Sequence, residues 1–146
     1  METNGVGEMI TNLRHIGIIV KDAEKSIEVF KNLFDLKDDD IRVVPSTVTK
    51  NESAFAFIPV GGIELELIQP LSERFKKMLC NPVEGINHIA FTVTDIEEAV
   101  RLMSKKGFRL GHVTKEGILD MGRSKIAYFD PKDTDGILIE FVEPIE

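Results

Sequence analysis

Two stretches of this chain repeat one pattern of apolar and polar positions. HIGIIVKDAEKSIEVF begins at His15, and HIAFTVTDIEEAVRLM begins at His88, 73 residues further on. His, Ile, Val, Asp and Glu recur in register, and most other positions exchange like for like. Each copy opens inside an apolar run, LRHIGIIV or INHIAFTV, whose alternation and β-branched content predict a half-buried strand. An aspartate follows, Asp22 or Asp95, where a helix N-cap belongs. Apolar residues then fall at helical spacing: Ala23, Ile27, Phe30 and Phe34 in the first copy, and Ile96, Ala99, Val100 and Met103 in the second. Glu98, three residues after Asp95, matches a capping box, and Gly107 is placed as the residue just past the second helix.

Three strand-like runs follow each helix. They are DIRVVP, SAFAFIPV and GIELELIQP in the first half, and FRLGHV, SKIAYFDP and GILIEFVEP in the second. Gly61-Gly62 reads as a hairpin turn, and PKDTDG as a longer turn in the equivalent place. The predicted fold class is α+β: two tandem βαβββ modules forming a curved mixed sheet around a trough. One domain spans 1–146, with module one at about 12–70, a linker at 71–85 and module two at about 86–144. The start of the linker predicts a short helix that Asn81-Pro82 stops, with Cys80 as a small hydrophobe near its end.

Composition narrows the class. At 146 residues, 42% hydrophobic and 29% charged, the chain can bury a core of its own. Its net charge of -7 lacks the basic face a nucleic-acid binder needs. No apolar run reaches the ~18 residues of a membrane span. The polar start METNGVGEM does not resemble a signal peptide, and a single cysteine suits a reducing, cytoplasmic location.

The ends of the modules match as well. Glu66-Leu67-Ile68-Gln69-Pro70 closes one and Glu140-Phe141-Val142-Glu143-Pro144 the other. Each is Glu, two apolar residues, a polar residue and Pro, at nearly the same distance from its histidine. This singles out Glu66 over Glu64, whose counterpart is Leu138. If all four side chains face the trough, His15, Glu66, His88 and Glu140 present two imidazoles and two carboxylates. That set balances one divalent cation and leaves coordination positions open, as in a catalytic site. A histidine at a strand start and a glutamate on a solvated strand face are also ordinary structural residues. Recurrence in register is what sets these four apart.

The paired modules and the His…Glu…His…Glu pattern resemble the vicinal oxygen chelate superfamily, which includes glyoxalase I, methylmalonyl-CoA epimerase, extradiol dioxygenases and bleomycin-resistance proteins. LRHIGIIVKDAEKSIEVFKNLF, INHIAFTVTDIEEAV and FDPKDTDGILIEF most resemble the epimerases. Asp135 stands where those enzymes commonly have glycine, and Asp130 where they have histidine. The resemblance implies a divalent metal (Co, Ni, Zn or Mn) bound by His15, Glu66, His88 and Glu140. It implies a homodimer, and a substrate that is an acyl-CoA or a thiol adduct. The corresponding reaction is epimerisation of methylmalonyl-CoA or a similar 2-substituted acyl-CoA by proton abstraction at C2 through a metal-stabilised enediolate. A glyoxalase I-type lactoylglutathione lyase and a metal-free binding protein are the alternatives on this fold.

Inversion at C2 needs an acid/base group on each face. Glu140 and Glu66, from pseudo-symmetric positions, are the candidates. Some epimerases use a separate glutamate within module one; Phe55 falls at that position here, and Glu52 is the nearest carboxylate. Arg74, Lys76 and Lys77 in the linker, and Arg123 with Lys125 later, are the cations available to CoA phosphates. The loop EGILDMGRS, 116–124, is a candidate lid or a plain connection. His112 reads as an ordinary strand residue.

Overall fold

The computed structural model describes residues 5–45, 53–80 and 82–145. Its elements run β1 (Ile10–Ile19), α1 (Ala23–Phe34), β2 (Arg42–Pro45), β3 (Ser53–Val60), β4 (Ile63–Pro70), α2 (Glu73–Met78), β5 (Gly85–Val93), α3 (Ile96–Lys105), β6 (Leu119–Asp120), β7 (Ser124–Tyr128) and β8 (Ile139–Pro144). This is the expected α+β pattern, βαβββ stated twice with a short helix between.

Both aspartates cap their helices. The Lys25 N–H donates to the Asp22 carboxylate, and the Glu98 N–H to that of Asp95, which satisfies one of the four donors that a helix start leaves open. A second cap comes from the far end of each module. The Ala23 N–H donates to Gln69 Oε1 at 2.8 Å, and the Ile96 N–H to Glu143 Oε1 at 2.9 Å. The polar residue of the repeated closing motif thus ties the last strand to the first helix of its own module. The Glu98 carboxylate pairs with Arg101 one turn on, so the capping box predicted from its spacing gives way to a helix-surface ion pair.

The chain divides into two units. One runs from His15 to Asn87, with strands in the order β2-β3-β4-β1. β1 and β4 are parallel, and the β2–β3 and β3–β4 pairs antiparallel. Gly61 and Gly62, at φ 57° and 84°, make the tight β3–β4 hairpin turn that a side chain would strain. Ile27, Phe30 and Phe34 of α1 pack on Ala56, Ile58 and Leu67. Phe75 of α2 packs with Ile19 and Ile68, so β4 is covered by α1 at Leu67 and by α2 at Ile68.

The other unit joins the chain up to Arg14 to the chain from His88 onward, with strand order β5-β8-β7-β6. β5 and β8 are parallel, β7–β8 and β6–β7 antiparallel. Ile96 and Ala99 of α3 pack with Val93, Ala127, Phe129 and Phe141, and Val6 from the N-terminal segment joins them. Gly107, at φ 97°, follows α3 as expected.

Three expectations need correction. FRLGHV is not a strand: Leu110 makes one isolated bridge to Phe129, and His112–Thr114 form a 3-10 turn. The turn wins because His112 lies in the left-handed region, at φ 51°, where a ladder cannot continue. The strand that completes the module, β6, instead lies within the segment read as a loop at 116–124. Finally, α2 ends at Met78 and Cys80 is exposed, because the helix stops before it could be carried onto the core. Asn81 and Glu52 lie outside the described residues.

Candidate functional site

Each unit brings one histidine and one glutamate together by the same register. In β1–β4, Gly17 is opposite Glu66; in β5–β8, Ala90 is opposite Glu140. The histidine sits two residues before the small residue in both cases, hence on the same face of its strand. A small residue opposite the glutamate leaves its carboxylate room to reach the imidazole. His15 Nε2 lies 3.3 Å from Glu66 Oε1, and His88 Nε2 lies 3.4 Å from Glu140 Oε1. The one-residue difference in sequence spacing is absorbed before the last strand, and the pairs superpose in register.

Their surroundings differ. The His15 and Glu66 side chains are 12% and 14% exposed, those of His88 and Glu140 5% and 6%. Glu64, set against His15 in the ladder, turns to Arg42 at 3.5 Å. Glu66, and not Glu64, is thus the glutamate beside His15.

The next strand places an aromatic ring beside each carboxylate. Phe57 is opposite Glu66, and Tyr128 is opposite Glu140. Beyond each ring stands a basic side chain. The Arg42 guanidinium lies 4.0 Å over the Phe57 ring, a cation–π contact at a half-open site. His112 meets Tyr128 edge-on, with ring centroids 5.0 Å apart at 89°, and Tyr128 meets His88 in the same manner at 5.7 Å and 81°. Burial, with a smaller electrostatic influence from His88, pushes the His112 imidazole down to about 4, so the ring is neutral at physiological pH. His112 and Tyr128 escaped the sequence reading. The one available signal was Tyr128, which ladder alternation puts on the face of Glu140 once the β7–β8 register is known.

The pairs fit a metal ion chemically. A first-row divalent ion bonds His nitrogen and carboxylate oxygen at about 2.0–2.2 Å, so neighbouring donors on one ion lie about 3 Å apart, close to both observed separations. A carboxylate as buried as Glu140 costs free energy unless positive charge or hydrogen bonds compensate it. Mixed imidazole and carboxylate donors suit Co, Ni, Zn or Mn.

Of the cations proposed for phosphates, Lys76 pairs with Glu73 and Lys125 with Glu97; Arg74, Lys77 and Arg123 are exposed. Among the described residues, no helix is long and apolar enough to cross a membrane.

This fold and these paired donors belong to a recognised class. The chain is a member of the Glyoxalase/Bleomycin resistance protein/Dioxygenase superfamily, whose family model matches residues 14–129. Among individual proteins, it is 28% identical over 138 residues to the Uncharacterized protein YqjC of Bacillus subtilis, covering 92% of this chain and 94% of the relative. It is 28% identical over 142 residues to the Ethylmalonyl-CoA/methylmalonyl-CoA epimerase of Cereibacter sphaeroides, covering 90% and 97%. In three dimensions it matches methylmalonyl-CoA epimerase from Mycobacterium tuberculosis with a TM-score of 0.73 at 27% identity, over 100% of this chain and 94% of that one.

Proposed function

We propose that His15, Glu66, His88 and Glu140 hold one divalent metal ion and that the protein is an epimerase of methylmalonyl-CoA or a similar 2-substituted acyl-CoA. The observation that carries this reading is the duplicated His–Glu pair, built by one register in both units. The full-length similarity to methylmalonyl-CoA epimerases supports it. Two neutral imidazoles and two carboxylates balance the charge of one divalent ion, whereas either pair alone does not.

Bound there, such an ion supplies Lewis acidity to the oxygens of a carboxylate and a thioester carbonyl. The side chains do the proton work. Glu140, the more deeply buried of the two glutamates, is the first candidate to take the proton from C2. Glu66 comes from the pseudo-symmetric position and returns a proton to the other face, which inverts the centre. Gln69 and Glu143, three residues beyond each glutamate, hold the strand ends against the helices. In the same reading the protein works in the cytoplasm as a homodimer, consistent with one cysteine and the habit of the family.

The test is C2 proton exchange of methylmalonyl-CoA in deuterated water, followed by NMR on metal-loaded protein. Exchange that Glu140→Gln abolishes supports the reading. No exchange with methylmalonyl-CoA, together with turnover of the hemithioacetal of glutathione, would replace it by the lactoylglutathione lyase reaction, which the same donors can serve. Neither activity with metal bound would leave a binding protein.

A further inference from the structure

We propose that Tyr128 and His112 are positioning residues for His88, forming a buttress of stacked edges that fixes the imidazole with Nε2 toward Glu140. The proposal rests on the reading of His88 as a metal ligand.

The buttress begins with ring geometry. Tyr128 contacts two imidazoles and is nearly perpendicular to both, at 5.7 Å from His88 and 5.0 Å from His112. A ring packed against two neighbours turns only by displacing one of them, and close packing makes such displacement costly. Edge-to-face contacts of this kind are attractive beyond the area they bury.

His112 is not there by default. It is one of three described non-glycine residues at positive φ, at 51°, a conformation that persists only where the surroundings over-determine it. Here they do. The Gly111 N–H donates to the Tyr128 carbonyl at 2.9 Å. Thr114 is buried, and its Oγ1 accepts the Tyr128 N–H at 2.8 Å while lying 2.9 Å from the Tyr128 carbonyl and 3.0 Å from that of Gly111. A Cβ on Gly111 would sit 2.7 Å from Asp130 Cα, so only glycine lets the turn approach this closely. On the other side, the Asp130 N–H donates to the Arg109 carbonyl at 2.8 Å. Arg109 grips Asp133 with its backbone N–H and two guanidinium nitrogens, each at 2.9 Å. The segment FDPKDTDG is therefore a clamp: with Gly111 and Thr114 it presses one imidazole onto Tyr128 and Tyr128 onto the other.

A loop serving only as a connection has no need to hold a histidine in the left-handed region, where glycine would be easier. The other unit lacks this device, since Phe57 is backed there by Arg42, whose side chain is 58% exposed.

The experiment is cobalt(II) titration of the metal-free chain, reading the dissociation constant and the visible absorption band, with thermal melts of the metal-free proteins beside it. Tyr128→Ala and His112→Gly are expected to bind cobalt about 10–100-fold more weakly, the usual range for supporting residues around a ligand, and to shift the band. Tyr128→Phe, which keeps the ring, is expected to match the parent. Glycine suits φ 51°, so His112→Gly should melt no lower than the parent, which separates positioning from folding. Variants that bind within twofold of the parent with an unchanged band overturn the proposal and leave the metal site standing. Tyr128→Phe as weak as Tyr128→Ala overturns it too, by assigning the effect to the hydroxyl. A parent that takes up no cobalt overturns both readings together.

Discussion

The two His–Glu pairs share a register and differ in nearly everything around it. His15 and Glu66 are the less buried pair, with Phe57 and a permanently charged Arg42 beside them; His88 and Glu140 are closed in behind Tyr128 and a neutral His112. What is common follows from the strand ladder: a histidine, a small residue two positions on, and a glutamate opposite that small residue. What differs lies one strand further out, where nothing in the ladder dictates the side chain. The His–Glu pair is shared by the two units, and the layer behind it is not. In one half the pair is almost fully buried, and in the other it is somewhat more exposed.

Substitutions of the carboxylates should widen that contrast most. Glu140→Gln is expected to lower C2 exchange about 10²–10⁴-fold, the range for loss of an acid/base group. Glu66→Gln keeps an oxygen donor in the more open pair and should cost less. Equal losses, measured by the same NMR exchange, would remove the functional asymmetry.

A smaller effect is expected on folding. Thr114→Val removes the oxygen that accepts the part-buried Tyr128 N–H and should cost about 1 kcal/mol. Chemical denaturation should show it as a lower midpoint with an unchanged slope.

The helix ties offer a closer comparison, because they are equivalent in both units. Gln69→Ala and Glu143→Ala each remove one acceptor from a helix start and should each cost about 1 kcal/mol, or about 3–4 °C of melting temperature. Glu143→Gln should cost a few tenths of that, since it keeps the hydrogen bond and loses only the charge at the helix dipole.

The smallest expected effect is on pH dependence. The unfolded chain protonates His112 as pH falls through 6.5, while the folded chain does so only near 4. This contribution to stability is complete above 6.5 and is lost as pH falls to about 4. His112→Gly removes this group and should lose less melting temperature than the parent across that interval. A parallel loss would mean that His112 titrates normally in the folded state.

Much of this was legible in the chain alone. The repeat exposed both modules, Asp22 and Asp95 marked both helix starts, and Gly61-Gly62 marked the hairpin. These are local signals, set by caps, turns and periodicity. The preference for Glu66 over Glu64 also came from alignment of the two copies. FRLGHV was misread because its apolar alternation says strand, whereas the outcome turned on Gly111 approaching Asp130 and on Thr114 reaching Tyr128, contacts between segments. Gln69 and Glu143 were visible as a matched pair, but their role as caps needs the strand end and helix start side by side. Tyr128 and His112 carry no motif. Their meaning lies in ring packing that no one-dimensional period encodes.

The central claim is that two equivalent pairs serve one ion. The most direct test is the number of divalent ions bound per chain after metal-free protein is loaded with cobalt and freed of excess, repeated for His15→Ala and His88→Ala. One ion per chain is expected, lost or greatly weakened in either variant although the two histidines come from different units. Two ions, each lost with its own histidine, or none at all, would contradict it.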